Sequence, residues 1–189
     1  MRLSKQCVGK TAWYLKPFFW NQKRKYGQHL EPAKVWAMVP TLFILVASVY
    51  GFLDRKKSPI SPALRSLISV RVSQINGCEF CVDLNSANLM KRTHSEEKIQ
   101  HLLEWESSDL YSALEKTALR YAEKMTNTQL AVDDACFHAL NQHFNSDEIV
   151  ELTALIAFQN MSSKFNSALA IVPQGLCNVI SVPSNSSVK

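Results

Sequence analysis

The residues best suited to chemistry in this chain are two cysteines spaced C-x-x-C, Cys78 and Cys81. They follow directly on the turn pair Asn76-Gly77 and lead into a stretch, Val82 to Met90, that favours a helix. A cysteine in the first turn of a helix faces unpaired backbone N–H groups and the positive end of the helix dipole. Both favour thiolate over thiol. The thiolate is the nucleophile of disulfide and peroxide chemistry, and a second cysteine three residues on can resolve the oxidised intermediate. The pair therefore predicts a dithiol redox site. Helix geometry alone makes Cys78, nearer the N-terminus, the more acidic sulfur.

Other groups give weaker signals. A C-x-x-C is also half of a zinc site, but His94, His101, His138 and His143 supply no conventional second half downstream, so no metal or organic cofactor is expected. Cys136, between Ala135 and Phe137, reads as a small core residue, and Cys177 could approach the site after the last long helix. Glu79 and Asp83 beside the cysteines are either solvated acids that complement the dipole or neighbours that raise a thiol pKa. Ser66 and Ser73 read as small residues that let helices pack closely.

The run Arg65 to Cys81, with a second run from Glu151 to Asn160, resembles the signature of the carboxymuconolactone decarboxylase and alkylhydroperoxidase D (AhpD) superfamily. The resemblance extends from Pro59 to Ile171. It implies an all-α, AhpD-like domain of about six to seven helices that assembles into trimers or hexamers. It also implies a peroxidase or antioxidant oxidoreductase with peroxiredoxin activity, taking a peroxide or disulfide substrate and an external thiol reductant. By the resemblance Cys81 attacks the peroxide and Cys78 resolves.

Redox-active AhpD-like proteins carry a glutamate twelve residues before the first cysteine and a histidine four after the second, where this chain has Ser66 and Asn85. Some also have a histidine just before the second cysteine, here Phe80. Asn85 lies one helical turn beyond Cys81 and can orient its sulfur, but asparagine cannot shuttle a proton near neutral pH. The site residues expected are therefore Cys78, Cys81 and Asn85, supported by Ser66 and Asp83, and turnover is expected to be slow. The alternatives are a catalytically weak redox sensor or oligomeric binding module, and a decarboxylase-type lyase. The lyase branch generally lacks the cysteine pair, which counts against it.

A chain of 189 residues with 47% hydrophobic content suits one domain with a sizeable core. The net charge of +5 sits largely in Lys23-Arg24-Lys25 and Arg55-Lys56-Lys57, read as a solvated face, so no nucleic-acid partner is expected. Five unevenly spaced cysteines do not make a secreted disulfide framework, which points to a reducing, cytoplasmic setting. Val35 to Leu53 is uncharged and long enough to span a bilayer, but Pro40, Thr41 and Ser48 interrupt it and both flanks are basic. A core or oligomer-interface helix is expected there.

The elements that must position the cysteines read as helices throughout. Residues 1–31 form an N-terminal arm with Trp13, Tyr14, Phe18, Phe19 and Trp20 clustered around Pro17; 32–177 form the helical domain; 178–189 form a polar tail expected to be disordered. Within the domain, a helix from about Pro32 to Leu53 bends near Pro40. Ser61-Pro62 starts the next, with Leu64, Leu67, Ile68, Val72 and Ile75 on its apolar face. Thr93 with Glu96 suggests a capping box before a helix that buries Ile99, Leu102 and Leu103. Leu114 to Met125 and Val132 to His143 are further helices. Asn145 with Glu148 caps a long one running through Ile171.

Overall fold

Pro62 cannot donate to a preceding turn, and the Ser61 hydroxyl accepts the Leu64 N–H at 3.2 Å, so a helix begins where the sequence places it. The computed structural model describes residues 1–3 and 12–179. Part of the N-terminal arm, with Cys7, and nearly all of the 178–189 tail lie outside the described residues. Among the described residues every regular element is a helix: α1 (Lys16–Tyr26), α2 (Glu31–Trp36), α3 (Pro40–Leu53), α4 (Pro62–Ile75), α5 (Glu79–Thr93), α6 (Glu97–Gln100), α7 (Ala113–Thr126), α8 (Asp134–Asn141) and α9 (Ser146–Ala168).

The central element is α4, packed on α5, α7 and α9. It was expected to bury one apolar face. Instead Arg65, Ser66, Ser69 and Ser73 are buried along with Leu67, Ile68, Val70 and Val72, because neighbours surround it, and Ile75 at its end is exposed. Serines let those neighbours approach. The main core gathers side chains of α4, α5, α7 and α9, such as Leu67, Leu89, Leu119, Leu152 and Ile156. A second core lies around the cysteines and joins Phe19, Val35, Phe43, Phe80 and Ile171. Here Trp36 stacks on Phe165 with centroids 3.6 Å apart, and Phe18 meets Phe43 edge-to-face at 4.7 Å.

Three boundaries differ from expectation. Pro32 to Leu53 is two helices and not one bent helix, since Pro40 supplies no N–H to Trp36 and becomes the first residue of α3 after an extended Val39. Thr93 ends α5 by donating its hydroxyl to the Leu89 carbonyl at 2.9 Å, so no capping box forms there. Ser95 caps the Lys98 N–H instead, α6 lasts one turn, and Leu103 is 68% exposed. Finally, α9 stops at Ala168. Ala170 takes φ 51°, its N–H bonds to the Ser167 carbonyl, and the Ile171 N–H bonds to the Asn166 carbonyl, a Schellman turn with alanine in glycine's usual place. The Asn145–Glu148 capping box forms in full.

No helix among the described residues is long and apolar enough to cross a membrane. Within α3, Phe43 and Leu53 are buried, while Leu42, Ile44, Leu45, Val49 and Phe52 are exposed.

The link from α3 to α4 is tied to α9 by Glu151, which pairs with Arg55 and accepts from the Ser58 hydroxyl at 2.9 Å. The Arg55 hydrogen bonds, assisted by Ser58 and opposed by burial, hold the Glu151 carboxyl below its ordinary value. A carboxyl depressed in the folded state stabilises above its unfolded pKa, and that stabilisation fades as pH falls through the folded value. Glu151→Gln should therefore lower stability at pH 7 by about 1–2 kcal/mol. Denaturant curves of the native and substituted proteins should converge as pH falls through the depressed folded pKa of Glu151; a gap that stays constant on acidification would count against this.

Candidate active site

The sulfurs are placed by how α4 ends. Gly77 takes φ 60°, its N–H bonds to the Gln74 carbonyl, and the Cys78 N–H bonds to the Ser73 carbonyl at 3.0 Å. That Schellman turn needs a left-handed residue, which glycine supplies without a Cβ penalty. It leaves Cys78 as the N-cap of α5, its sulfur accepting the Cys81 N–H at 3.3 Å. Cys78 and Cys81 are joined as a disulfide with Cα atoms 5.2 Å apart. They are 2% and 3% exposed.

A residue the sequence reading missed touches the pair. Asn166 of α9 donates from Nδ2 to Cys81 Sγ at 3.2 Å. The signal for it was present: Gln159, Ser163 and Asn166 recur at helical spacing on one side of α9, and all three are buried. Asn85, expected to orient Cys81, points elsewhere. Its Nδ2 donates to Ser73 Oγ and Gln159 Oε1, each at 3.2 Å, and is 3.5 Å from the Ser69 carbonyl. Ser73, read as a mere packing residue, is the hub of this network. It donates to the Ser69 carbonyl at 2.6 Å and accepts from both Asn85 and Gln159, while Gln159 also donates to Ser163. Every member is an amide, a hydroxyl or a carbonyl, so none titrates near neutral pH.

Ser66 accepts from Arg92 at 2.9 Å, and Arg92 pairs with Asp54 at 2.6 Å. Ser66 and Asn85 both line a small cavity of about 40 Å³. Asp83 is not the solvated acid that was one alternative for it. It is buried and accepts the backbone N–H groups of Gln174, Leu176 and Cys177 at 2.7–2.9 Å, fastening the segment after α9 against α5. Glu79 is exposed. Cys177 is buried, and Cys136 sits in the main core, where burial pushes its thiol up. Among the described residues no three His, Cys, Asp or Glu side chains group to hold a metal.

Against the disulfide lies a cavity of about 240 Å³. Its walls are largely apolar and include the aromatic rings Phe18, Tyr26, Trp36, Phe43 and Phe158, drawn from α1, α2, α3 and α9. Its polar residues are Asn85, Gln159, Ser162 and Asn166 on the side of α5 and α9, and Asn21, Gln22 and Lys25 on α1. Cys81 lines it; Cys78 does not. The arrangement can hold an apolar molecule against one sulfur of the bonded pair.

The sequence pattern of the carboxymuconolactone decarboxylase family matches residues 40–124. The chain is 43% identical over 172 residues to the uncharacterized protein YnjA of Escherichia coli (strain K12), covering 91% of this chain and 94% of that one. Among solved structures it resembles a peroxidase-related protein from Silicibacter sp. TM1040, with TM-score 0.83, 23% identity, and coverage of 92% of this chain and 91% of that chain. It likewise resembles an uncharacterized peroxidase-related protein with an alkylhydroperoxidase AhpD core from Ralstonia eutropha JMP134, with TM-score 0.82, 19% identity, and 92% of each chain covered. At these identities the two structures establish a shared AhpD-like fold.

Peptide mapping after mild oxidation should find a Cys78–Cys81 link that dithiothreitol removes. Cys136 and Cys177 should stay unalkylated in the native protein and react once it is denatured. Free Cys78 and Cys81 thiols after saturating peroxide would contradict a redox-active pair.

Proposed function

The chain belongs to the carboxymuconolactone decarboxylase and AhpD-like superfamily, and from that membership we propose that it is a thiol-dependent oxidoreductase of peroxidase or antioxidant type. The observation that carries this is the bonded Cys78–Cys81 pair with Cys81 in the wall of an aromatic cavity. Cys81 is the attacking sulfur, since it meets the cavity and Cys78 does not. As thiolate it displaces an alkoxide from an organic hydroperoxide and becomes a sulfenic acid. Cys78 then displaces water from that sulfur to form the disulfide. An external dithiol returns two electrons and two protons. The setting is a reducing, cytoplasmic one in which the pair can cycle.

The hydrogen-bonded partners of Asn85 are all neutral, so water carries the protons and turnover is slow. If peroxide forms the disulfide but steady turnover is negligible, a redox-sensor role takes precedence. The neutral network is what favours that second possibility.

The same proposal includes a trimer or hexamer, because the exposed row Leu42, Leu45, Val49 and Phe52 on α3 suits a subunit interface. Light scattering should report an oligomer without detergent, and Leu45→Glu should weaken it. A native monomer at micromolar concentration would remove this part.

Turnover is tested with cumene hydroperoxide and a supplied dithiol. Cys81→Ser should abolish it. Positions 66 and 85 share one cavity, so Ser66→Glu with Asn85→His should raise the rate about tenfold or more. Each single change should do less, since neither completes a relay. High native turnover that Asn85→Ala abolishes would overturn the account of a lost relay.

A further inference from the structure

Among the described residues that line the 240 Å³ cavity, Lys25 alone carries a formal charge. Its place there follows from helical spacing: Phe18, Gln22 and Lys25 recur at i, i+4 and i+7 along α1, and all three line the cavity. Lys23 and Arg24, its neighbours in the basic run, do not. The ammonium is little committed elsewhere. Nζ lies 5.1 Å from the centre of the Tyr26 ring, itself part of the cavity wall, and 4.0 Å from Asp54 Oδ2. That carboxylate already pairs with Arg92 at 2.6 Å and with Arg65 at 3.8 Å, so one anion faces three cations. Lys91 adds a fourth, its Nζ 5.8 Å from the same Tyr26 ring. The Lys25 side chain is 44% exposed, so its head can move to a ligand without disturbing the packing of α1. Cys81 belongs to α5, and the remaining walls are largely apolar.

We propose that the cavity takes an amphipathic organic hydroperoxide that carries a carboxylate away from its O–O bond. Lys25 holds the carboxylate, the apolar walls hold the body, and Cys81 meets the peroxide. This rests on the dithiol function proposed above and names the class of its substrate. A wholly apolar peroxide makes no use of an ammonium group, and hydrogen peroxide makes no use of apolar walls; a molecule charged at one end uses both. The excess of positive charge around Tyr26 also raises the local concentration of anions and speeds their encounter at low salt. The carboxylate takes no part in the chemistry. The Cys81 thiolate attacks the hydroxyl-bearing oxygen, the O–O bond breaks, and the alkoxide leaves and takes a proton from water. Sulfur is oxidised by two electrons to a sulfenic acid, and the peroxide is reduced to an alcohol. Cys78 then displaces water to form the disulfide, and an external dithiol restores both thiols.

The test uses pre-reduced full-length protein, native, Lys25→Met and Lys25→Arg, oxidised in single turnovers by cumene hydroperoxide or by the same molecule with a para carboxylate. The rate constant for the carboxylated peroxide is divided by that for the plain one. Dividing again by the same ratio for free dithiothreitol removes the intrinsic reactivity of the two peroxides. At low salt the native protein should give a corrected ratio of about five, the upper range for a partly exposed ion pair. In about 0.5 M sodium chloride it should fall towards one, because salt screens such a pair. Lys25→Met should bring the ratio to about one even at low salt, while Lys25→Arg, which keeps the charge, should retain most of the preference. A corrected native ratio at or below one overturns the inference, as does a preference that Lys25→Met leaves unchanged. Native protein oxidised by cumene hydroperoxide but not by its carboxylate overturns it while sparing the dithiol function. Native protein oxidised by neither overturns both.

Discussion

Both sulfurs owe their place to one backbone turn. Because Gly77 is left-handed and Ser73 takes the Cys78 N–H, the chain leaves α4 and re-enters a helix at once, with a cysteine as its cap. A residue with a Cβ would hold φ near 60° only under strain. Since α4 is enclosed by α5, α7 and α9, the turn is anchored on the central helix of the main core. The cysteine pair thus stands at the end of a packed helix, while the aromatic walls in front of it come from α1, α2, α3 and α9.

A division of labour follows across the two cores. The main core is apolar and holds the bundle; the second mixes aromatic rings with two sulfurs and a stripe of amides. The hydrogen bonds given for Gln159, Ser163 and Asn166 involve no charged group. Arg65, Arg92 and Asp54 meet at the far end of α4, where Ser66 stands in place of the family's glutamate. The hydrogen-bond partners of Asn85 are amides, hydroxyls and carbonyls, while Asp54, Arg65 and Arg92 share with it the small cavity that Ser66 lines.

Much of this was legible in the chain wherever the cause is local. Ser61-Pro62, Asn145 with Glu148, and Asn76-Gly77 before the C-x-x-C act through neighbouring backbone groups, and the structure forms all three as read. The errors have causes remote from their own stretch, or lack a marker. Asn166 lies 85 residues from Cys81, so no spacing rule joins them. The last turn of α9 carries Ala170 where a glycine would have announced the stop. Asp83 looked like a helix-start acid because its three backbone donors arrive from beyond residue 173. Thr93 had two local choices, capping forward or bonding back, and the sequence does not rank them.

The fastening of the C-terminal segment sets an order of assembly. Asp83 binds residues 91 to 94 positions away, and Gln174 reaches back 146 positions to Gln28, so these contacts close long loops around the cavity. Long loops lose the most chain entropy on closure and form after local helix pairs such as α4 with α5. The cysteine hairpin is therefore completed while its aromatic cover is still absent. By this order the two thiols meet solvent first, and the folding chain can be oxidised or reduced there before the aromatic cover closes over them.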